Sequence, residues 1–195
     1  MKNRGEKKFS QYLYVHQLFI PIFVSVKNNR MKKIMVAVSV LLGTLAANAQ
    51  NWAIDNSHSK IRFSVTHLVI TETEGEFKKF SGKVTASKED FSDAQIDFTI
   101  DVNSINTDDE NRDKHLKGDD FFNAEKFPTI SFKGKSLQKV NGSKYLLEGD
   151  LTIRDVTKHV TFDVVYNGIV KDPWGNTKAG FKVNGTINRF DYNLK

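Results

Sequence analysis

Apolar and polar residues alternate along most of this chain, and that period of two is the pattern of strands with one buried and one wetted face. Ile61, Phe63 and Val65 alternate with Arg62, Ser64 and Thr66. Ile96, Phe98, Ile100 and Val102 alternate with Asp97, Thr99, Asp101 and Asn103. Ile130 and Phe132 share one parity, Tyr145, Leu147, Leu151 and Ile153 another, and Val160, Phe162, Val164 and Tyr166 a third, before Phe181, Val183 and Ile187. The pattern predicts about seven strands, near 58–70, 77–87, 94–103, 129–138, 144–154, 158–170 and 178–190, with a short one around Trp52–Asp55. Strands wetted on one face belong to an antiparallel sheet, since parallel sheets are covered on both.

The turn chemistry agrees. Asn141-Gly142 between two alternating runs is a strong hairpin signal. Asp172-Pro173-Trp174-Gly175 suits a type I turn. One segment departs from the strand series. Thr107 followed three residues later by Glu110 reads as a capping box, with a short helix continuing over 111–117 and Gly118 ending it. So many antiparallel strands close as a barrel or stack as a sandwich. Alternation alone leaves both open.

The amino end carries a different signal. Met31-Lys32-Lys33, an apolar run from Ile34 to Leu45 and Ala47-Asn48-Ala49 form the n-region, h-region and cleavage site of a signal peptide, so residues 31–49 are read as a leader and 50–195 as one exported domain. Residues 1–30 are read as a spurious extension upstream of the true start; a membrane anchor there is the rival reading. The run of 34–45 is too short for a membrane span, so the mature chain is expected to carry none. The expected location is periplasmic or secreted.

Removing residues 1–49 changes the charge argument. The whole chain has a formal charge of +6, but the leader and the residues before it hold eight Lys/Arg and one acidic residue. Residues 50–195 keep 21 basic and 22 acidic groups. That balance gives no electrostatic footprint for nucleic acid. The absence of cysteine rules out disulfides and a lipid anchor on an N-terminal cysteine. A domain of this length can bury a core without them.

Against this background the residues fall into an ordered series of motifs. Trp52-Ala53-Ile54-Asp55 is followed by His58-Ser59, then Gly75, Phe77, Phe80 and Gly82. Ser104-Ile105-Asn106-Thr107, Arg112-Asp113-Lys114-His115-Leu116, Asp120-Phe121-Phe122 and Phe127-Pro128-Thr129-Ile130-Ser131-Phe132 come next. Gly149 to Ile153, Val156-Thr157-Lys158 and Gly180-Phe181 complete it. In this order the chain resembles the YceI-like family of exported polyisoprenoid-binding proteins. The resemblance implies an all-β, antiparallel, lipocalin-like β-barrel with a short helical insertion. It implies an apolar tunnel for an isoprenoid lipid or the tail of a quinone and does not imply catalysis; no cofactor is expected. Two departures stand out. Asp155 occupies a turn position where the family usually has Gly. The sequence also stops at Lys195, where the family continues with one more strand, so a barrel lacking its last strand is expected.

On this reading the lipid tail lies against Phe63, Val65, Phe77, Phe98, Ile100, Phe132, Leu147, Leu151, Phe162, Val164 and Phe181, with His67 of the same parity facing a head group. The bland alternative is that these side chains simply fill the barrel. Burying methylenes contributes about 0.8 kcal/mol each, so a long tail would bind with few polar contacts. His58, His67, His115 and His159 lack the clustering a metal site needs, and no metal is expected. Arg112, Asp113 and His115 are read as anchoring the helix rather than forming a polar rim. Nucleophile, zinc and phosphate-loop motifs are missing, so no enzyme is expected. An enzyme of lipid or stress metabolism on the same barrel, or a β-sandwich interaction module, are the alternatives. A homodimer is left open.

Overall fold

The computed structural model describes residues 24–25, 49–67 and 70–195. The readings made for residues 1–23 and 26–48, including nearly all of the leader, lie outside the described residues. Ten strands and one helix follow in order: β1 (Gln50–Ile54), β2 (Ile61–His67), β3 (Thr71–Phe77), β4 (Phe80–Ala86), β5 (Gln95–Asp101), β6 (Ile105–Asn106), α1 (Glu110–Leu116), β7 (Thr129–Asn141), β8 (Lys144–Ile153), β9 (Val156–Lys171) and β10 (Thr177–Asn184).

Seven of them form one antiparallel sheet in the order β1-β4-β5-β7-β8-β9-β10. Val24 and Ser25 pair with Ile54 and Ala53 along the edge of β1 that β4 leaves free, close to β10. The sheet is strongly curled, a half-barrel rather than a pair of stacked sheets, which sets aside the sandwich. β2, β3 and β6 form a separate three-stranded antiparallel sheet.

The β8 burial pattern alternates without a break, with Tyr145, Leu147, Gly149, Leu151 and Ile153 buried and the residues between them half-wetted. Gly142 at the β7–β8 turn has φ +55°, the left-handed region the Asn-Gly signal requires. In the β9–β10 turn the Gly175 amide donates to the Asp172 carbonyl at 2.9 Å, as a type I turn should.

Two expectations need correction. A strand that the alternation does not predict, Thr71–Phe77, lies between those expected at 58–70 and 77–87 and pairs with β2. Its Thr and Glu residues hide it from a search for apolar alternation. The helix is capped by Asp109, whose side chain accepts from the Arg112 amide at 3.0 Å, not by Thr107. Thr107 is buried and otherwise engaged: its hydroxyl donates to Asp113 at 2.7 Å and accepts from Arg112 Nε at 2.8 Å. Arg112 Nη2 also donates to the Thr107 carbonyl at 2.6 Å. Arg112 and Asp113 thus tie the helix to the β6 end.

One end of the half-barrel is closed by aromatic rings. Phe91 packs against Trp52 at 5.1 Å and Phe181 at 5.0 Å, and Tyr166 stacks on Phe181 at 5.0 Å. Phe91 is almost wholly buried although its φ of 57° is unfavourable for a residue with a side chain. Its loop is braced by Asp93, which accepts from the Ser87 hydroxyl and from the amides of Ser87 and Lys88. Those bonds hold the Asp93 carboxyl down to about 2.

The sheet's two sides meet through a polar clasp. Lys178, near the start of β10, donates to Asp55, just past β1, at 2.5 Å. Asp55 also accepts from the Ser57 amide at 3.1 Å and the Ser57 hydroxyl at 2.5 Å, and His58 Nδ1 lies 3.0 Å from it. Burial would raise the Asp55 pKa, but the bonds from Lys178, Ser57 and His58 outweigh it and hold the carboxyl far below the usual carboxylate range. The ladder from Ala53 runs through Lys83, Asp97, Lys133 and Asp150 to His159, at the opposite end of the β9–β10 hairpin from Lys178. This stagger is the tilt that curling a sheet into a barrel imposes.

Candidate functional site

Inside the curl lies an apolar cavity of about 190 Å³. Its walls come from three sources. The main sheet contributes Ile96, Phe98, Ile100, Ile130, Phe132, Leu147, Leu151, Ile153, Phe162 and Val183; the small sheet adds Ile61, Arg62, Phe63, Val65 and Phe77. Segments outside the strands supply Leu116, Phe121, Phe122, Gly185, Ile187, Arg189 and Leu194. A smaller cavity of about 50 Å³ lies toward the aromatic plug and shares Ile96, Phe98, Leu147 and Val183 with the first.

Of the residues singled out from the sequence, Phe63, Val65, Phe77, Phe98, Ile100, Phe132, Leu147, Leu151 and Phe162 line the larger cavity. Val164 and Phe181 line the smaller one instead. Strand parity fixes which face a residue takes but not its depth along the barrel. His67 closes β2 and pairs with Thr71 through the backbone; its side chain lies outside the described residues. The wall supplied by Leu116, Phe121, Phe122, Ile187 and Leu194 escaped the sequence reading because turns carry no period. Phe121 and Phe122 had signalled themselves only as a cluster after the helix.

Arg62 and Arg189 are the only charged residues on the wall of the larger cavity. Among the described residues neither forms an ion pair. Arg189 starts a 3-10 turn (Arg189–Tyr192) capped by Asn188, whose side chain accepts from the Phe190 amide. Its guanidinium stacks over the Phe190 ring at 4.8 Å, and burial lowers its pKa. A half-buried guanidinium with a cation–π contact but no carboxylate keeps its donors available. This turn is held from below by Arg154, which sits at φ 56° in the β8–β9 hairpin. Its Nη1 donates to the carbonyls of Phe121 at 3.0 Å and Asn193 at 2.7 Å.

The histidines lie apart. His58 belongs to the clasp, His115 packs on the edge of Phe121 at 5.0 Å, and His159 is 3.3 Å from Asp150 on the outer surface. Among the described residues there is no group of three His, Asp or Glu able to hold a metal, and no helix is long and apolar enough to cross a membrane. A chamber whose surface is apolar almost throughout can bind a hydrocarbon chain. It brings together no nucleophile and base.

The profile of the YceI-like domain matches residues 52–195. A UPF0312 protein of Photorhabdus laumondii is 37% identical over 83% of this chain and 84% of its own. A UPF0312 protein of Staphylococcus aureus is 41% identical over 74% and 82%. The crystal structure of the Campylobacter jejuni YceI protein is 35% identical, with a TM-score of 0.60 over 72% of this chain and 82% of that one. No enzyme is named among these relatives.

Proposed function

The chain belongs to the YceI-like domain family, and from that premise we propose that it is an exported carrier of a single-chain isoprenoid lipid, a polyprenyl compound or the tail of a quinone. The observation that carries this reading is the cavity, whose wall is apolar but for Arg62 and Arg189. An apolar cavity of about 150 Å³ already stays dry and takes up a hydrocarbon. A larger one inside a curled sheet has the same preference, and every methylene it receives adds about 0.8 kcal/mol. The tail lies along Phe98, Phe132, Phe162 and Leu151. The signal-peptide pattern of residues 31–49 supports a location in the periplasm or outside the cell.

The test is native mass spectrometry of protein purified without detergent, followed by solvent extraction and identification of the released lipid. Co-purification of a prenyl chain in near one-to-one amount is expected. Protein that emerges empty and takes up no prenyl alcohol when offered one refutes the reading.

A further inference from the structure

Four of the rings that line the cavity lie against glycines. A Cβ on Gly185 would fall 2.1 Å from Cδ1 of Phe162, one on Gly75 would fall 2.4 Å from Cζ of Phe63, and one on Gly82 would fall 2.7 Å from Cδ2 of Phe98. A Cβ on Gly149 would fall 2.5 Å from Cζ of Phe132. Phe63 faces Gly75 directly across the β2–β3 ladder, and Phe98 faces Gly82 across β5–β4. Four separate rings therefore occupy the space a side chain would have filled, at three strand glycines and at Gly185 just past the end of β10.

All four rings belong to the wall of the larger cavity. None of the four glycines has positive φ, so a turn does not demand them. Glycine inside a strand weakens it and usually marks a close approach. Here the approach is that of a phenyl ring, the pairing known as aromatic rescue. Laid flat on the sheet, each ring leaves the middle of the chamber open; forced upright, it would project into the middle.

We infer that Gly75, Gly82, Gly149 and Gly185 set the bore of the chamber, and that this bore selects a slender single chain over fused rings. The inference rests on the reading of the cavity as an amphiphile site. Gly185 is the cleanest position to test, because the three atoms nearest its Cβ would all belong to the Phe162 ring. At Gly149 the carbonyl of Lys133, at 2.4 Å, would also be in the way.

The experiment measures binding of geranylgeraniol and of cholesterol to the full chain and three variants: Gly185→Ala, Gly185→Ala with Phe162→Leu, and Phe162→Leu alone. Wild type should bind geranylgeraniol and refuse cholesterol. Gly185→Ala should weaken geranylgeraniol binding at least tenfold, and adding Phe162→Leu should restore it. Phe162→Leu alone should admit cholesterol, which keeps the inference testable even if Gly185→Ala does not fold. Undiminished binding by Gly185→Ala overturns it. So does a double variant no better than the single one, or a Phe162→Leu variant that still refuses cholesterol. Failure of wild type to bind geranylgeraniol would instead sink the carrier reading.

Discussion

Replacing Asp55 by Asn should loosen the clasp that joins the two sides of the curled sheet. The Lys178–Asp55 pair is short, at 2.5 Å, and its side chains are 17% and 14% exposed. Removing one partner of a fully buried pair costs about 3–5 kcal/mol. This pair keeps some water, and Asp172 lies 3.9 Å from the same ammonium as a partial substitute, so a loss of about 2–3 kcal/mol is expected. For a domain of this size that lowers Tm by about 5–10 °C. The pH dependence supplies an independent check. The folded pKa of Asp55 is depressed from 3.8, so its contribution is fully present above that value and is lost as pH falls toward the folded pKa. Urea unfolding of wild type and Asp55→Asn should therefore show a gap that is constant down to about pH 4 and shrinks below it. A gap smaller than about 0.5 kcal/mol at neutral pH would place the pair among ordinary surface bridges. A gap unchanged at about pH 2 would show that the carboxylate is not its source.

Tyr192 should yield an opposite result. Its hydroxyl is buried and has no hydrogen-bond partner among the described residues, so Tyr192→Phe should stabilise the fold by about 1 kcal/mol in thermal melts. Burial, aided by Asp191, pushes the phenol up from 10.0 to about 12. Wild type should therefore lose stability as pH rises through that interval, and Tyr192→Phe should not show this loss. Arg154→Met removes two charge-assisted bonds to carbonyls and should cost about 2–3 kcal/mol in urea unfolding; a neutral result would mean the 3-10 turn is held by packing alone.

How far the sequence could be read depended on period. β8 and β5 were legible because Leu147, Leu151, Phe98 and Ile100 repeat every second residue. β3 was not legible because Glu72, Glu74 and Glu76 alternate with Thr71 and Thr73, which sends no apolar signal. The helix was placed within a residue, yet its cap was misassigned, since Thr107 has the right spacing but its hydroxyl is spent on Asp113. Arg189 escaped notice because nothing local distinguishes a cavity arginine from a surface one. The glycines were equally silent, as each takes its meaning from a ring on another strand.

The segment from Arg189 to Lys195 gives the chamber a wall unlike the rest. Leu194 faces the cavity and is almost fully buried, but its amide bonds only to the Arg189 carbonyl, and that of Lys195 to Asp120. One irregular turn opens locally at less free energy than a strand in mid-sheet. Deuterium uptake at these amides should thus act as a gauge of occupancy, slowing when the chamber is filled, while the amides of β8 exchange at the same rate in either state.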